Sequence, residues 1–407
     1  MNNTTPARSN VIVLKQLLNH IPLGMINRVA RETGVAAKAR TFSVFSHLTA
    51  MLFAQLSHSI SLNDVCDWLR LKAAAIVRLG ATPPSRNNLS HANKERDAEF
   101  AEKLFWAELA HLQHACPDFA AGRKGRGSLH RFRVRIHAVD STTIQLVANC
   151  MDWAKHRRRK AAAKAHLRLD LHTFLPSFVI VDTAAQHDNK RAREVCAGVA
   201  EGEIVVFDKA YVEFAHLSDL NLRGVWWVTR AKDNMKYRVV KSHTKGHENI
   251  IRDQLVALPG QGGMVVRRVE AWVEVDGEWR AMVFITNNLA WSPRSVCDLY
   301  RRRWDIEVFF KQVKQTLKLG SFLGHSANAV RWQIYTALLV YVLLRFMAHL
   351  SGWGHSFTRL FAVTRSALWE RIDLLALLKS YGTASGRFRV IAALDQAWLP
   401  GFAPSNT

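Results

Sequence analysis

The chain has 407 residues and a mass of 46.1 kDa, enough for two or three domains at about 100–200 residues each. Apolar residues make up 49% and charged ones 22%, which excludes a disordered chain. Fifty-six Lys and Arg against 33 Asp and Glu leave a net +23, a field that draws polyanions and makes nucleic acid the leading partner class.

The opening residues, MNNTTPARSN, carry no apolar run behind a basic segment, so no export signal is expected. From Val11 to about Ala121 apolar residues recur at three- and four-residue steps, as in FSVFSHLTAMLFAQLSHS, and predict an α-helical region. Within it, ATPPSRNNLSHANKERD (81–97) offers a Pro-Pro break, then Ser and Asn caps before a helix with Lys94 and Arg96. It reads either as a helix start that docks on phosphates or as a solvated turn. AAGRKGRGSLHR then reads as a basic linker and domain boundary.

The pattern changes after the linker. FRVRIHAVD, AKAHLRLDLHT, FLPSFVIVD, EIVVFD and GVWWVTR read as strands, with KRAREVCAGVAE as a helix between them. Residues of about 231–290 are β-patterned, with YRVVKS, GMVVRRVEAWVEV and WRAMVFITN split by Gly, Asp and Asn turns. From Pro293 one long helix is predicted over RSVCDLYRRRWDIEVFFKQVKQTL, followed by a buried helix near 332–348 and a helical tail. The apolar run Tyr335 to Leu344 is too short to span a bilayer, and no membrane role is expected. The five cysteines stand far apart with no C-x-x-C, which suits a reducing cytoplasm and argues against a zinc ribbon or a disulfide framework.

Asp140 and Asp208 are each read as the carboxyl end of an apolar strand, where open sheets place active sites. A carboxylate there is costly unless paired, exposed or on a metal. Tyr300, Arg303, Glu307 and Lys314 are spaced by 3, 4 and 7, which on a helix places them within an arc of roughly 60°. Three acids beside phosphate-binding cations suit a pair of Mg²⁺ ions, with Mn²⁺ as substitute, because the donors are hard oxygens. The simpler alternatives are turn-capping aspartates and an Arg303–Glu307 pair on a solvated helix face.

DST at Asp140, DKAY at Asp208 and Y-x2-R-x3-E-x6-K from Tyr300 to Lys314 resemble the DDE transposases of the insertion-sequence-four family, with their YREK signature. The resemblance covers roughly residues 40–350 and implies an α/β, ribonuclease-H-like mixed sheet flanked by helices. It also implies an inserted β-strand domain and an N-terminal α-helical domain. The expected division is 1–125 helical and DNA-binding, 126–230 core with Asp140 and Asp208, 231–290 inserted strands, 291–350 core with the YREK helix, and 351–407 a helical tail. Asp140, Asp208 and Glu307 would be the catalytic metal ligands, and Tyr300, Arg303 and Lys314 would hold DNA phosphates.

By the same resemblance Trp304 would stack a flipped base, with Trp272 and Trp279 as further candidates. The implied activity is cut-and-paste transposition of an insertion sequence: binding of its terminal inverted repeats, then metal-dependent cleavage and strand transfer. Its partners are double-stranded DNA, as transposon ends and target, and a second copy of the chain in a synaptic homodimer, in the bacterial cytoplasm at the nucleoid. Separately, Lys155, Arg157, Arg158, Arg159, Lys160, Lys164 and Arg168 put seven cations into fourteen residues, so that Lys160 and Lys164 are expected on DNA. His137, His166, His172 and His187 match no metal motif and are expected to be structural. A nuclease on the same fold without strand transfer, or a non-catalytic DNA binder, are the competing functions.

Overall fold

The computed structural model describes residues 7–38, 42–122, 131–146, 155–157, 160–183, 188–243, 248–259, 263–275, 277–319 and 322–382. The linker at 123–130, Arg158, Arg159, His187 and the tail beyond 382 lie outside the described residues, as do the side chains of Lys155, Arg157 and Lys160. The chain falls into two compact units. One comprises Met1–Ala120, Ile144–Ala162 and Phe310–Ala393; the other comprises Ala121–Thr143, Ala163–Phe309 and Leu394–Thr407.

The first unit is helical: α1 (Val13–Leu18), α2 (Leu23–Glu32), α3 (Val44–Ser57), α4 (Leu62–Leu71), α5 (Ala73–Arg78), α6 (Arg86–Glu95), α7 (Glu99–Ala115) and α8 (Pro117–Ala121). Serine caps start α3, α4 and α6: the side chains of Ser43, Ser61 and Ser85 each accept the N–H three residues on, which satisfies an otherwise orphaned donor. The later helix Ala327–Ser351, labelled α13 below, passes through the centre of this unit and packs on α3, α6 and α7. It is long and apolar enough to cross a membrane, yet 78% of its most apolar window is buried inside the fold. Trp332 is fully buried, stacked on Phe100 at 5.3 Å, and donates from Nε1 to the Arg96 carbonyl at 2.8 Å.

The second unit is built on a sheet. The strands are β1 (Ile136–Leu146), β2 (Lys155–Arg157), β3 (Lys160–Asp170), β4 (Leu175–Thr183), β5 (Ile204–Phe207), β6 (Trp226–Arg230), β7 (Arg238–Ser242), β8 (Ile250–Ala257), β9 (Val265–Val275) and β10 (Glu278–Thr286); residues 144–162, with β2, fall in the first unit. Among the described residues they form one ten-stranded sheet in the order β2-β3-β1-β5-β6-β10-β9-β8-β7, with β4 paired to β3. β1, β5 and β6 are mutually parallel, while β3–β4 and β6–β10 are antiparallel. The succession β4-β3-β1-β5-β6, with parallel strands on one side of β1, is that of a ribonuclease-H-like core.

The crossovers to parallel strands carry α9 (Asp188–Val195) and α10 (Phe214–Leu222). β5 is a short run of fully buried Ile, Val, Val and Phe, as a central parallel strand requires. The expected inserted strands run from Arg238 to Thr286, and β10 continues the core sheet through Phe284–Arg230, Ile285–Thr229 and Thr286–Val228. Val256, Val266 and Ile285 share one apolar core with Val139, Phe207 and Trp227. The unit closes with α11 (Pro293–Arg301) and most of α12 (Trp304–Lys311). In the first unit, α13 (Ala327–Ser351), α14 (Phe357–Ser366) and α15 (Leu374–Gly382) complete the chain.

Two elements differ from expectation. β1 does not end at Asp140: residues 136–139 are buried, and the strand then runs six residues further, half-exposed. The apolar run marks where the strand leaves the core rather than where pairing stops. The helix predicted from Pro293 is not continuous. It breaks at Arg302 and Arg303, where three-residue hydrogen bonds from the N–H groups of Arg303, Asp305 and Ile306 tighten the turn, and it ends in a π-helical turn, Gln312–Thr316.

Candidate active site

In the sheet unit the three acids reach the site from different elements. Asp140 sits on β1 at the edge of the core, with Oδ1 accepting the Ser141 N–H at 2.7 Å. Asp208 directly follows β5, as expected, and its Oδ1 accepts the Ala210 N–H at 3.1 Å, so it also caps a turn. Glu307 lies in the first turn of α12.

Arg303, in the break between α11 and α12, links them. Its Nη1 donates to Asp140 Oδ2 at 3.0 Å and its Nη2 to Glu307 Oε1 at 2.5 Å. The simple i,i+4 pair is therefore present, but it extends to a third side chain from the sheet. The Arg303 side chain is only 12% exposed and lies over the Tyr300 ring, 5.8 Å from its centroid. Tyr300 packs on Phe284 at 4.9 Å and points its hydroxyl at Asp208 Oδ2 across a long 3.5 Å contact. α11 is held by a serine cap at Ser292, by Pro293 at its start, and by Arg131, which donates to Asp298 at 2.7 Å.

The electrostatics follow from this crowding. Burial pushes the Asp140 carboxyl up to about 6; Arg303 and the Ser141 N–H oppose the rise, and the neighbouring Glu307 and Asp208 add to it. Burial pushes the Tyr300 hydroxyl up to about 12. Burial disfavours the Arg303 charge, yet Tyr300, Glu307 and Asp140 outweigh it and raise its pKa. The repulsion among three carboxylates is the charge imbalance that a cation would relieve, and the donors are hard oxygens suited to Mg²⁺ or Mn²⁺. Among the described residues no three acid, His or Cys groups form a ready-made metal cage, because the Arg303 guanidinium lies between Asp140 and Glu307. The fit is one of donor chemistry and charge.

The other expected site residues are distributed differently. Trp304, the first residue of α12, is 41% exposed, and Trp272 and Trp279 are more exposed still. Trp272 pairs with Ala281 and Trp279 with Glu274, so both indoles stand on one face of the β9–β10 hairpin. Lys314 lies on the π-helical turn, in the helical unit, and burial lowers its pKa. Lys164 stands directly opposite Asp182 in the β3–β4 ladder, a cross-strand pair of opposite charge.

Arg168 drops out of the expected DNA-facing tract. It is buried, and its guanidinium donates to the carbonyls of Val195, Ala197 and Ser177 and to Ser177 Oγ. Three of the four histidines have hydrogen-bond partners in the sheet unit: His137 meets Glu203 at 3.1 Å, His166 meets the Tyr211 hydroxyl at 3.2 Å, and His172 meets the Val134 carbonyl at 3.1 Å. The sequence reading missed Arg302 and Asp305, whose 2.6 Å pair fastens the first turn of α12; the i,i+3 spacing of opposite charges in RRRWDIE was the available signal.

Residues 133–343, just over half of the chain, match the family described as Transposase DDE domain, and that span contains all three acids. The chain belongs to the DDE transposases of the insertion-sequence-four family. It is a DNA transposase, an enzyme of DNA cleavage and strand transfer. A protein of Sinorhizobium fredii, y4zB, itself assigned as a transposase, is 29% identical over 304 residues, 72% of this chain and 80% of that one. A Geobacillus stearothermophilus protein assigned as the transposase of insertion sequence element IS5377 is 28% identical over 79% of this chain and 81% of its own length. Transposase InsG of the Escherichia coli element IS4 is 22% identical over 46% of this chain and 45% of its own.

Residues 9–82 of this transposase match a domain of unknown function, DUF4372. Among solved structures, a piggyBac transposase synaptic complex with hairpin DNA covers 99% of this chain and 90% of that chain at 7% identity and a TM-score of 0.46. The fold assignment rests on strand order, not on that likeness.

Proposed function

We propose that this transposase binds the terminal inverted repeats of an insertion sequence and moves it by metal-dependent cut-and-paste transposition. The observation that carries the reading is the convergence of Asp140, Asp208 and Glu307, from a strand, the turn after another strand and a helix, on the neighbourhood of the largely covered Arg303 guanidinium. In this reading the three carboxylates hold two Mg²⁺ ions, replaceable by Mn²⁺. Such ions supply a nucleophile at neutral pH and charge stabilisation for the leaving oxygen.

The protein's own groups then act as follows. Arg303 exchanges its two carboxylates for phosphate oxygens, for which its planar fork is suited, and Tyr300 and Lys314 each hold DNA phosphates. Trp304, Lys160 and Lys164 contact the end duplex, the tryptophan offering its exposed face to a displaced base. A water oxygen bonds to the end phosphorus as the P–O3′ bond breaks, which leaves a 3′-hydroxyl. That hydroxyl next attacks a target phosphodiester, exchanging one P–O bond for another.

The helical region 1–125 supplies further DNA contacts. The core segments 126–230 and 291–309 carry the chemistry, with the strands of 231–290 between them, and the rest of the expected second core segment, 310–350, belongs to the helical unit. Two copies pair the two ends in the synaptic complex, and the site of action is the nucleoid of a bacterial cytoplasm. Asp208→Ala tests the assignment: cleavage of a duplex carrying the flanking repeats is expected to be lost while end binding stays within a few-fold. Retained cleavage would remove Asp208 from the catalytic set.

A further inference from the structure

The helical unit contains a cavity of about 390 Å³ whose walls come from the start of α4, one face of α6 and the loop entering α13. Its cationic lining residues are Arg86 and Lys94, and among the described residues no carboxylate lines it. Asn93 also lines it and is 2% exposed. Burial holds the ring of His47 neutral, with its pKa lowered to about 3, so the 2.7 Å bond between His47 Nε2 and Asn93 Oδ1 has the ring as donor. That bond turns the Asn93 amide so that Nδ2, a buried donor, is left without a hydrogen-bond partner among the described residues.

Two helices open on the same cavity. Ser61 and Ser326 cap α4 and α13 through the N–H groups of Asp64 and Ala329, and the remaining first-turn N–H groups favour an anion. Asp64, the acid in that first turn, is engaged by the Ile60 N–H at 3.0 Å.

The walls are fixed before any ligand arrives. Asn328 Nδ2 donates to the carbonyls of Asn93, Lys94 and Arg96, at 3.0, 3.3 and 2.6 Å, and so ties the start of α13 to the end of α6. The Leu323 N–H donates to Gln333 Oε1 at 2.9 Å. A Cβ at Gly324 would meet the Ala329 Cβ at 2.5 Å, so the loop lies at a distance that only glycine permits.

We infer that this cavity takes a backbone phosphate of the transposon-end duplex, gripped by Arg86 and Lys94 with Asn93 as a buried donor behind them. The inference rests on the end-binding reading above; of the cavity walls only residues 60–63 fall within the stretch that matches a domain of unknown function. Lys94 is free to exchange partners, since its 3.7 Å pairing with Glu95 is solvent-exposed. Duplex DNA fits the rest of the lining, where serines and an asparagine face the same opening as the two cations.

The test is fluorescence anisotropy of a labelled duplex carrying one inverted repeat, titrated at several salt concentrations with the full chain. The proteins are wild type, R86A/K94A and S90W, each checked for an unchanged thermal transition. R86A/K94A is expected to weaken binding by about tenfold or more and to lower the slope of log affinity against log salt by about 2. S90W fills the cavity without changing charge and is expected to weaken binding by a similar factor. Binding by S90W within about twofold of wild type would overturn the cavity site, whatever the double variant does. Failure of the wild-type chain to bind the duplex would instead count against the end-binding reading, so the two failures are distinguishable.

Discussion

Arg303 satisfies two carboxylates at once, and a lysine, as a point charge, cannot reproduce that bridge. Both Arg303→Ala and Arg303→Lys are therefore expected to weaken end binding and to lower cleavage by more than about tenfold, alanine more severely. An alanine variant with unchanged binding and cleavage would return Arg303 to a plain helix-face ion pair. A second prediction concerns Glu108 on α7, which is 0% exposed, with no partner for either oxygen among the described residues and its carboxyl pushed up to about 8 by burial.

Because that folded-state pKa lies above the ordinary 4.5, the neutral group's stabilising contribution is complete below about pH 4.5 and is lost as pH rises through about 8. Stability should fall between pH 5 and pH 9 by on the order of a few kcal/mol, read as a lower thermal midpoint, and Glu108→Gln should flatten that fall. Superimposable pH profiles would contradict it. At this scale the convergence of Asp140 and Asp208 was legible, since a carboxylate at the end of a buried run is chemically conspicuous. Glu108 was not, because a Glu in an amphipathic helix reads as part of the wet face.

At the scale of elements, alternation in the sequence located β7, β9 and β10, but pairing lies outside what alternation encodes. The β6–β10 ladder joins residues some 55 positions apart and makes the inserted strands part of the core sheet. Deleting 235–285 removes Val256, Leu258, Val266 and Ile285 from a shared apolar core and should abolish the cooperative unfolding transition of the sheet unit. A deletion variant that still unfolds cooperatively would show those residues to be dispensable. The YREK spacing predicted one continuous helix, since a 3.6-residue period continues through Arg302 and Arg303. The break follows from three-residue hydrogen bonds and from Arg303 reaching back to Asp140, contacts that no local pattern announces.

At the scale of the molecule, the charge of +23 and the three acids pull in opposite directions: the surface attracts a polyanion and the site repels it until cations neutralise the carboxylates. We propose that DNA is bound by the whole basic chain and cut only where Asp140, Asp208 and Glu307 gather metal. The most direct measurement is cleavage and strand transfer of a labelled duplex carrying the flanking inverted repeats, with a plasmid target, in Mg²⁺, in EDTA, and with Glu307→Gln. 3′-Nicking followed by joining to the plasmid is expected in Mg²⁺, and neither product in EDTA or with the variant. Cutting without joining, or products that persist with EDTA or with Glu307→Gln, would contradict it.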